Sequence, residues 1–177
     1  MKNSGATIKG ELVVKAIYDD GSEDVLFEDH NHIVNGYLHS LSRLLTQRDI
    51  DPDPEEYAVN SLWVEASDNE LIYDVSVSDS GPEGTVVHRH VFDKQSDVTL
   101  EVGGDPGTVA FTAMLDQYAA NGETIRAVGL YTAGDDAEDP ASSGNVNLVA
   151  RQRIGAVDKT SDFAIQIEWM LTTSIDS

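Results

Sequence analysis

A mainly β architecture, an antiparallel β-sandwich or barrel of about 8–10 strands with one amphipathic helix near residues 32–47, follows from three features of the sequence. Short apolar runs alternate with polar residues along most of the chain, one early stretch switches to a helical period, and clusters of Gly, Pro, Asp and Ser separate the runs. No repeating strand–helix–strand pattern is visible, which argues against a parallel sheet. With 177 residues and 40% apolar content, residues 1–177 are read as one β-rich domain, since two cores would be cramped.

The first element is a hairpin over residues 8–29. Leu12, Val14, Ala16 and Tyr18 alternate with Val13, Lys15 and Ile17, then Asp19-Asp20-Gly21-Ser22 supplies a turn before Val25-Leu26-Phe27. Val13, Ile17, Val25 and Phe27 give this hairpin more apolar positions than one buried face requires, so these four are candidate assembly contacts. From Asn31 the period changes. Ile33, Val34, Tyr37, Leu38, Leu41, Leu44 and Leu45 fall on one face of a helix that Asn31 could cap, and Asp51-Pro52-Asp53-Pro54 imposes an extended segment after it.

Strands are expected from there on. Ser61-Leu62-Trp63-Val64-Glu65-Ala66 is one, and Val86, His88, His90 and Phe92 on one face against Val87, Arg89 and Val91 on the other make the next. Val98 to Val102 leads through the turn signal Gly103-Gly104-Asp105-Pro106-Gly107 to Val109, Phe111, Ala113 and Leu115, a second hairpin. Ile125 to Thr132, Val146 to Arg153 and Phe163 to Leu171 complete the set. The strict alternation of Phe163, Ile165, Ile167, Trp169 and Leu171 marks the last as a central strand.

Charge narrows the function. Eleven Lys and Arg stand against 32 Asp and Glu, a formal net charge of −21, so nucleic acid and anionic membranes, which both attract cations, are not expected partners. No apolar run approaches the length of a membrane helix, and the first ten residues lack the apolar centre of a signal peptide. Cysteine is absent, which removes disulfides, thiolate metal sites and cysteine nucleophiles. The acids are interleaved with apolar residues, as in Asp97-Val98-Thr99-Leu100-Glu101-Val102, a pattern of folded strands rather than of a disordered acidic tail. Scarce lysine and an excess of aspartate over glutamate, 20 to 12, resemble proteins of extremely halophilic archaea. Multimolar salt would remove the self-repulsion such a surface carries.

Four landmarks in order carry a resemblance: Asn31-His32-Ile33-Val34-Asn35-Gly36-Tyr37 running to Leu45, Leu62-Trp63-Val64, Ile125-Arg126-Ala127-Val128-Gly129-Leu130-Tyr131 continued by Asn147 to Arg151, and Val157-Asp158-Lys159-Thr160 followed by Ile165-Gln166-Ile167-Glu168-Trp169. Together they resemble a family of small virion structural proteins of tailed bacteriophages and tailed haloarchaeal viruses, with the third landmark a version of an I-x-E-[IV]-G-L-[FY] strand that has Ala127 where relatives often carry an acid. The resemblance implies a virion location and, as partners, further copies of the chain (a homo-oligomer) and other virion proteins such as major capsid, portal, neck or tail proteins. In physical terms Gly129 suggests a bulge or the close approach of another backbone. Arg151 and Arg153 lie on the same side of their strand, where they pair with acids or contact a partner, and are therefore further candidate contacts.

Enzymatic chemistry finds no motif. There is no Gly-x-Ser-x-Gly, His-Glu-x-x-His or phosphate-binding Gly-x-x-x-x-Gly-Lys, and carboxylate pairs drawn from 32 acids are uninformative. Neither catalysis nor a cofactor is expected. His88-Arg89-His90 and His30-Asn31-His32 have the alternate spacing of metal chelates but no identifiable third ligand, and read as strand-surface histidines. The acidic loops Asp51, Asp53, Glu55, Glu56 and Asp135, Asp136, Glu138, Asp139 depart from the twelve-residue calcium-loop pattern and read as solvated loops. The expected function is thus a self-associating component of a tailed-virus particle exterior, as capsid decoration, turret, or neck or tail attachment. A carbohydrate- or cell-surface-binding module of a viral fibre is the alternative, marked by exposed aromatics, and a small hydrolase with His88 or His90 in a pocket is a third.

Overall fold

Nine strands joined edge to edge in the order β4-β3-β7-β8-β2-β1-β9-β6-β5 make up the computed structural model, which describes residues 6–33, 58–68, 81–101, 107–132 and 147–175. The strands are β1 (Ala6–Tyr18), β2 (Glu23–Ile33), β3 (Ser61–Ala66), β4 (Thr85–Val91), β5 (Val98–Glu101), β6 (Gly107–Leu115), β7 (Thr124–Thr132), β8 (Asn147–Asp158) and β9 (Phe163–Ile175). All pairings are antiparallel. Strand β2 belongs to two sheets. Residues Glu23 to Asn31 pair with β1 in the sheet β2-β1-β9-β6-β5, whereas His32 and Ile33 pair with Arg151 and Ala150 of β8 in the sheet β2-β8-β7-β3-β4.

The two sheets pack face to face as a sandwich. Leu12, Val14, Phe111, Ala113, Leu115, Ile165, Ile167, Trp169 and Leu171 from the first share one core with Leu62, Val64, Ile125, Val128, Leu130, Val149, Ile154 and Val157 from the second. Phe92, just past β4, meets Phe111 of β6 at 5.2 Å between ring centroids and closes the seam between the sheets. Among the described residues the terminal strands β4 and β5 do not pair with each other, so the described sheet does not close into a barrel.

Alternation placed most of these strands. In β9 the residues Ile165, Ile167, Trp169 and Leu171 are buried and the strand lies between β1 and β6, the central position expected. The N-terminal turn is held by Gly21 N–H donating to Tyr18 O (2.9 Å) and by Asp20, whose carboxylate accepts from the Ser22 amide and hydroxyl. These bonds favour the charged carboxylate, the hydroxyl one most, and lower its pKa.

Three expectations are corrected. Asn31 does not cap a helix: Asn31, His32 and Ile33 are the end of β2, because the strand must run on to reach β8 in the second sheet. The remainder of the expected helix, 34–47, lies outside the described residues. In β4, Val86 does not share the face of His88 and His90. Val64 pairs with His88 and Glu65 with Val86, so Val87 is the extra residue of a bulge, and the two sides of that bulge present opposite faces. Finally, β8 does not stop at Arg153. Gly155, at φ +80°, opens a bulge opposite Arg126 that lets Ile154 and Val157 both enter the core, a spacing of three that hides the continuing strand from an alternation test. Gly155→Ala forces a side chain into that left-handed backbone and is expected to cost about 1 kcal/mol, read from the urea midpoint.

Candidate functional site

The expected assembly residues divide by face. Val13 and Ile17 of β1 alternate with the buried Leu12, Val14 and Ala16 and so point away from the core, joined on that side by Val25 of β2, which is 59% exposed. Phe27 pairs with Val14 and packs on the core instead, removing it from the outer face. Arg153 is half-buried on the outer side of the other sheet. Arg151 lies on that same outer side of the sheet, but it is wholly buried there and is not part of an exposed contact surface.

Arg151 is the centre of a charge network. Its Nε donates to Glu65 Oε1 at 3.0 Å and its terminal nitrogen to Glu65 Oε2 at 2.7 Å, a two-pronged pair in which both side chains are fully buried. The register explains the reach. Arg151 sits opposite Gly129 on β7, and Glu65 sits opposite Ala127 on the far side of the same strand, so the pair crosses β7 where its side chains are smallest. The small Ala127 leaves that path open. Glu65 Oε2 also accepts the amide N–H groups of Glu83 and Gly84 at 3.0 and 3.1 Å, and Glu83 places a carboxylate 3.3 Å from the guanidinium. Burial by itself weakens the guanidinium's hold on its proton; the bonds and charge of Glu65, with Glu83, outweigh it and raise the pKa.

Beside the network Trp63 stacks on Tyr131 with ring centroids 4.0 Å apart and an angle of 17°, and Arg89 lies 4.9 Å over the Trp63 ring. Gly129 faces Trp63 across the pair of strands, and the close neighbour there is the Tyr131 ring rather than another backbone. A Cβ at 129 would stand 2.8 Å from Tyr131 Cε2 and 3.2 Å from Leu148 Cδ1. Gly129→Ala is therefore expected to cost about 1–3 kcal/mol by overpacking, with a change in Trp63 fluorescence as the stack is displaced.

His88 and His90 do share a face, the inner side of β4 at the seam. His90 Nε2 lies 2.9 Å from Asp97 Oδ2, while His88 Nε2 is buried with no hydrogen-bond partner. Among the described residues, no group of three or more His, Asp or Glu is placed to hold a metal ion. His32's side chain and the acidic loops 51–56 and 135–139 lie outside the described residues. Burial, and secondarily the neighbouring His90, lower the His88 pKa against an opposing pull from Asp116. Because the unfolded chain takes this proton first, His88 favours the fold above about pH 6.5, and the benefit is lost as pH falls below that value. The melting temperature should fall between about pH 7 and 5, and fall less in His88→Gln.

Lys159 is a buried cation that the sequence patterns did not single out. It is 1% exposed, donates to Gln117 O, Asn121 Oδ1 and Thr160 O, and lies 5.3 Å over the Phe163 ring. Desolvation lowers its pKa, opposed by Asp116 and Asp162. Its only sequence signal is rarity, as one of five lysines in the chain.

No family model, curated protein or solved structure matches this chain.

Proposed function

We propose that this chain is a non-enzymatic structural component of a tailed-virus particle, self-associating on the particle exterior in high salt as capsid decoration, turret, or neck or tail attachment. The family resemblance motivates the virion. The observation that carries the assembly reading is the segregation of charge over the sandwich. Acids such as Asp19, Asp20, Glu23, Asp24, Glu28, Asp29, Asp93, Glu101, Asp116, Glu123, Asp158 and Asp162 are exposed, and Glu65, the buried one among the described residues, is neutralised by Arg151. Exposed carboxylates keep the chain soluble in brine, and a rigid apolar core gives a block that can be repeated.

The aromatics that would favour a sugar-binding reading are differently used. Trp63, Tyr131 and Trp169 are buried, and Tyr118, on the turn after β6, is the one exposed to 74%. Tyr37, Tyr57 and Tyr73 lie outside the described residues.

Mass spectrometry of purified particles tests the proposal. The chain is expected in them at a fixed ratio to the major capsid protein, and labelled chain is expected to join particles that lack it. Its absence from particles overturns the reading.

A further inference from the structure

We infer that Lys159 and Asn121 are the two ends of an intramolecular isopeptide bond, which the folded chain forms by itself with release of ammonia. Such a bond depends only on two turns at one end of the sandwich, not on where the protein assembles. Residues 116–123 carry the chain from β6 in the first sheet to β7 in the second, and residues 159–162 carry it back from β8 to β9. Two main-chain bonds hold these turns together: Gly122 N–H donates to Lys159 O at 2.9 Å, and Lys159 N–H to Glu123 O at 3.0 Å. Ala120, at φ +55°, takes a left-handed backbone unfavourable to any residue with a Cβ, and the next residue, Asn121, reaches the lysine.

The lysine meets Asn121 in an arrangement suited to attack. Its Nζ lies 3.0 Å from Asn121 Oδ1, 3.0 Å from Gln117 O and 2.6 Å from Thr160 O. The two main-chain carbonyls can only accept, so they take two N–H bonds, and in the neutral amine the lone pair is left in the third direction, toward the Asn121 carboxamide. Cγ is one bond from Oδ1, and rotation of the carboxamide brings it within the roughly 3–3.5 Å of a near-attack arrangement. The Lys159 residue is 1% exposed, with the Phe163 ring 5.3 Å from its nitrogen. Desolvation lowers the amine's pKa against the pull of Asp116 and Asp162, which raises the share of the nucleophilic neutral form.

The step balances within the chain. Nζ adds to Cγ, the Cγ–Nδ2 bond breaks, and Nδ2 leaves as ammonia after taking up the proton that Nζ loses. Asp116 and Asp162, whose charges act on Lys159, are the carboxylates available to relay that proton. Asn121 is exposed, which gives ammonia an exit. The ordinary fate of an Asn-Gly pair is attack by the glycine nitrogen on the same Cγ, closing a five-membered imide. Here the Gly122 N–H is held by Lys159 O, which ties up that competitor. The finished bond joins the two turns and closes the chain between residues 121 and 159 into a loop, narrowing the unfolded ensemble.

Mass spectrometry of the full chain under denaturing conditions is the test, after incubation in about 3 M KCl until the spectrum stops changing. Wild type is expected to be lighter than its sequence by one ammonia. Trypsin, which does not cut at an acylated lysine, is expected to release residues 95–126 joined to residues 154–177 as one branched peptide. Asn121→Ala, a substitution at an exposed position, is expected to keep the full sequence mass and to be cut after Lys159. A wild type of full sequence mass overturns the inference. So does a loss of ammonia confined to an unbranched 95–126 peptide, which is the imide at Asn121-Gly122. An Asn121→Ala chain that still loses ammonia places the bond elsewhere and overturns it as well.

Discussion

Glu65→Ala is expected to destabilise the fold by about 3–5 kcal/mol, the cost of leaving a buried guanidinium without its carboxylate. Arg151 would lose both bonds to Glu65 and keep the 3.3 Å contact with Glu83, whose side chain is partly solvated, and the amides of Glu83 and Gly84 would lose their acceptor. Against a total stability of about 5–15 kcal/mol this is a large fraction, and the urea midpoint should drop accordingly. Glu65→Gln, which keeps an oxygen for the two amides, should lose less. Replacing both partners, as Glu65→Leu with Arg151→Met, should recover much of the loss, because two apolar side chains of similar volume need no desolvation of charge. A Glu65→Ala loss below about 1 kcal/mol would contradict a buried pair and indicate solvent access to Arg151.

Salt should act on the whole surface at once. Two like charges 10 Å apart in water repel by about 0.4 kcal/mol, reduced to roughly 0.15 at 0.1 M salt and almost nothing above 1 M. Taking about one such neighbour for each of the 21 net negative charges, self-repulsion near 0.1 M is about 3 kcal/mol, and concentrated salt removes nearly all of it. At roughly 2–4 °C per kcal/mol for a chain of this size, the melting temperature should rise by about 6–12 °C between 0.1 and 3 M KCl. A curve that does not move upward would count against a protein adapted to brine.

The strands were legible in the sequence as a short apolar run in β3 at Ser61–Ala66, buried on both faces, and by unbroken period two in the inward rows of β6 and β9. Legibility failed at irregularities of backbone. The bulge at Val87 and the two extra residues around Gly155 each break the alternation, and the passage of β2 from one sheet to the other lies over residues whose spacing also suits a helix. The assembly candidates were separated only by geometry. Val13, Ile17 and Val25 point outward as a surplus of apolar positions implies, but Phe27 turns inward because its register opposite Val14 places it on the core side. Glu65 could not have been singled out. Its role depends on Arg151, 86 residues later, and on the small Ala127 and Gly129 between them, a contact across three strands that no local spacing encodes.

A cryo-EM map of intact tailed particles tests the central claim most directly. The account predicts repeated copies of this two-sheet sandwich on the particle exterior, in contact with one another. Particles whose exterior density holds no such fold, while the chain remains a lone monomer in strong salt, would contradict it.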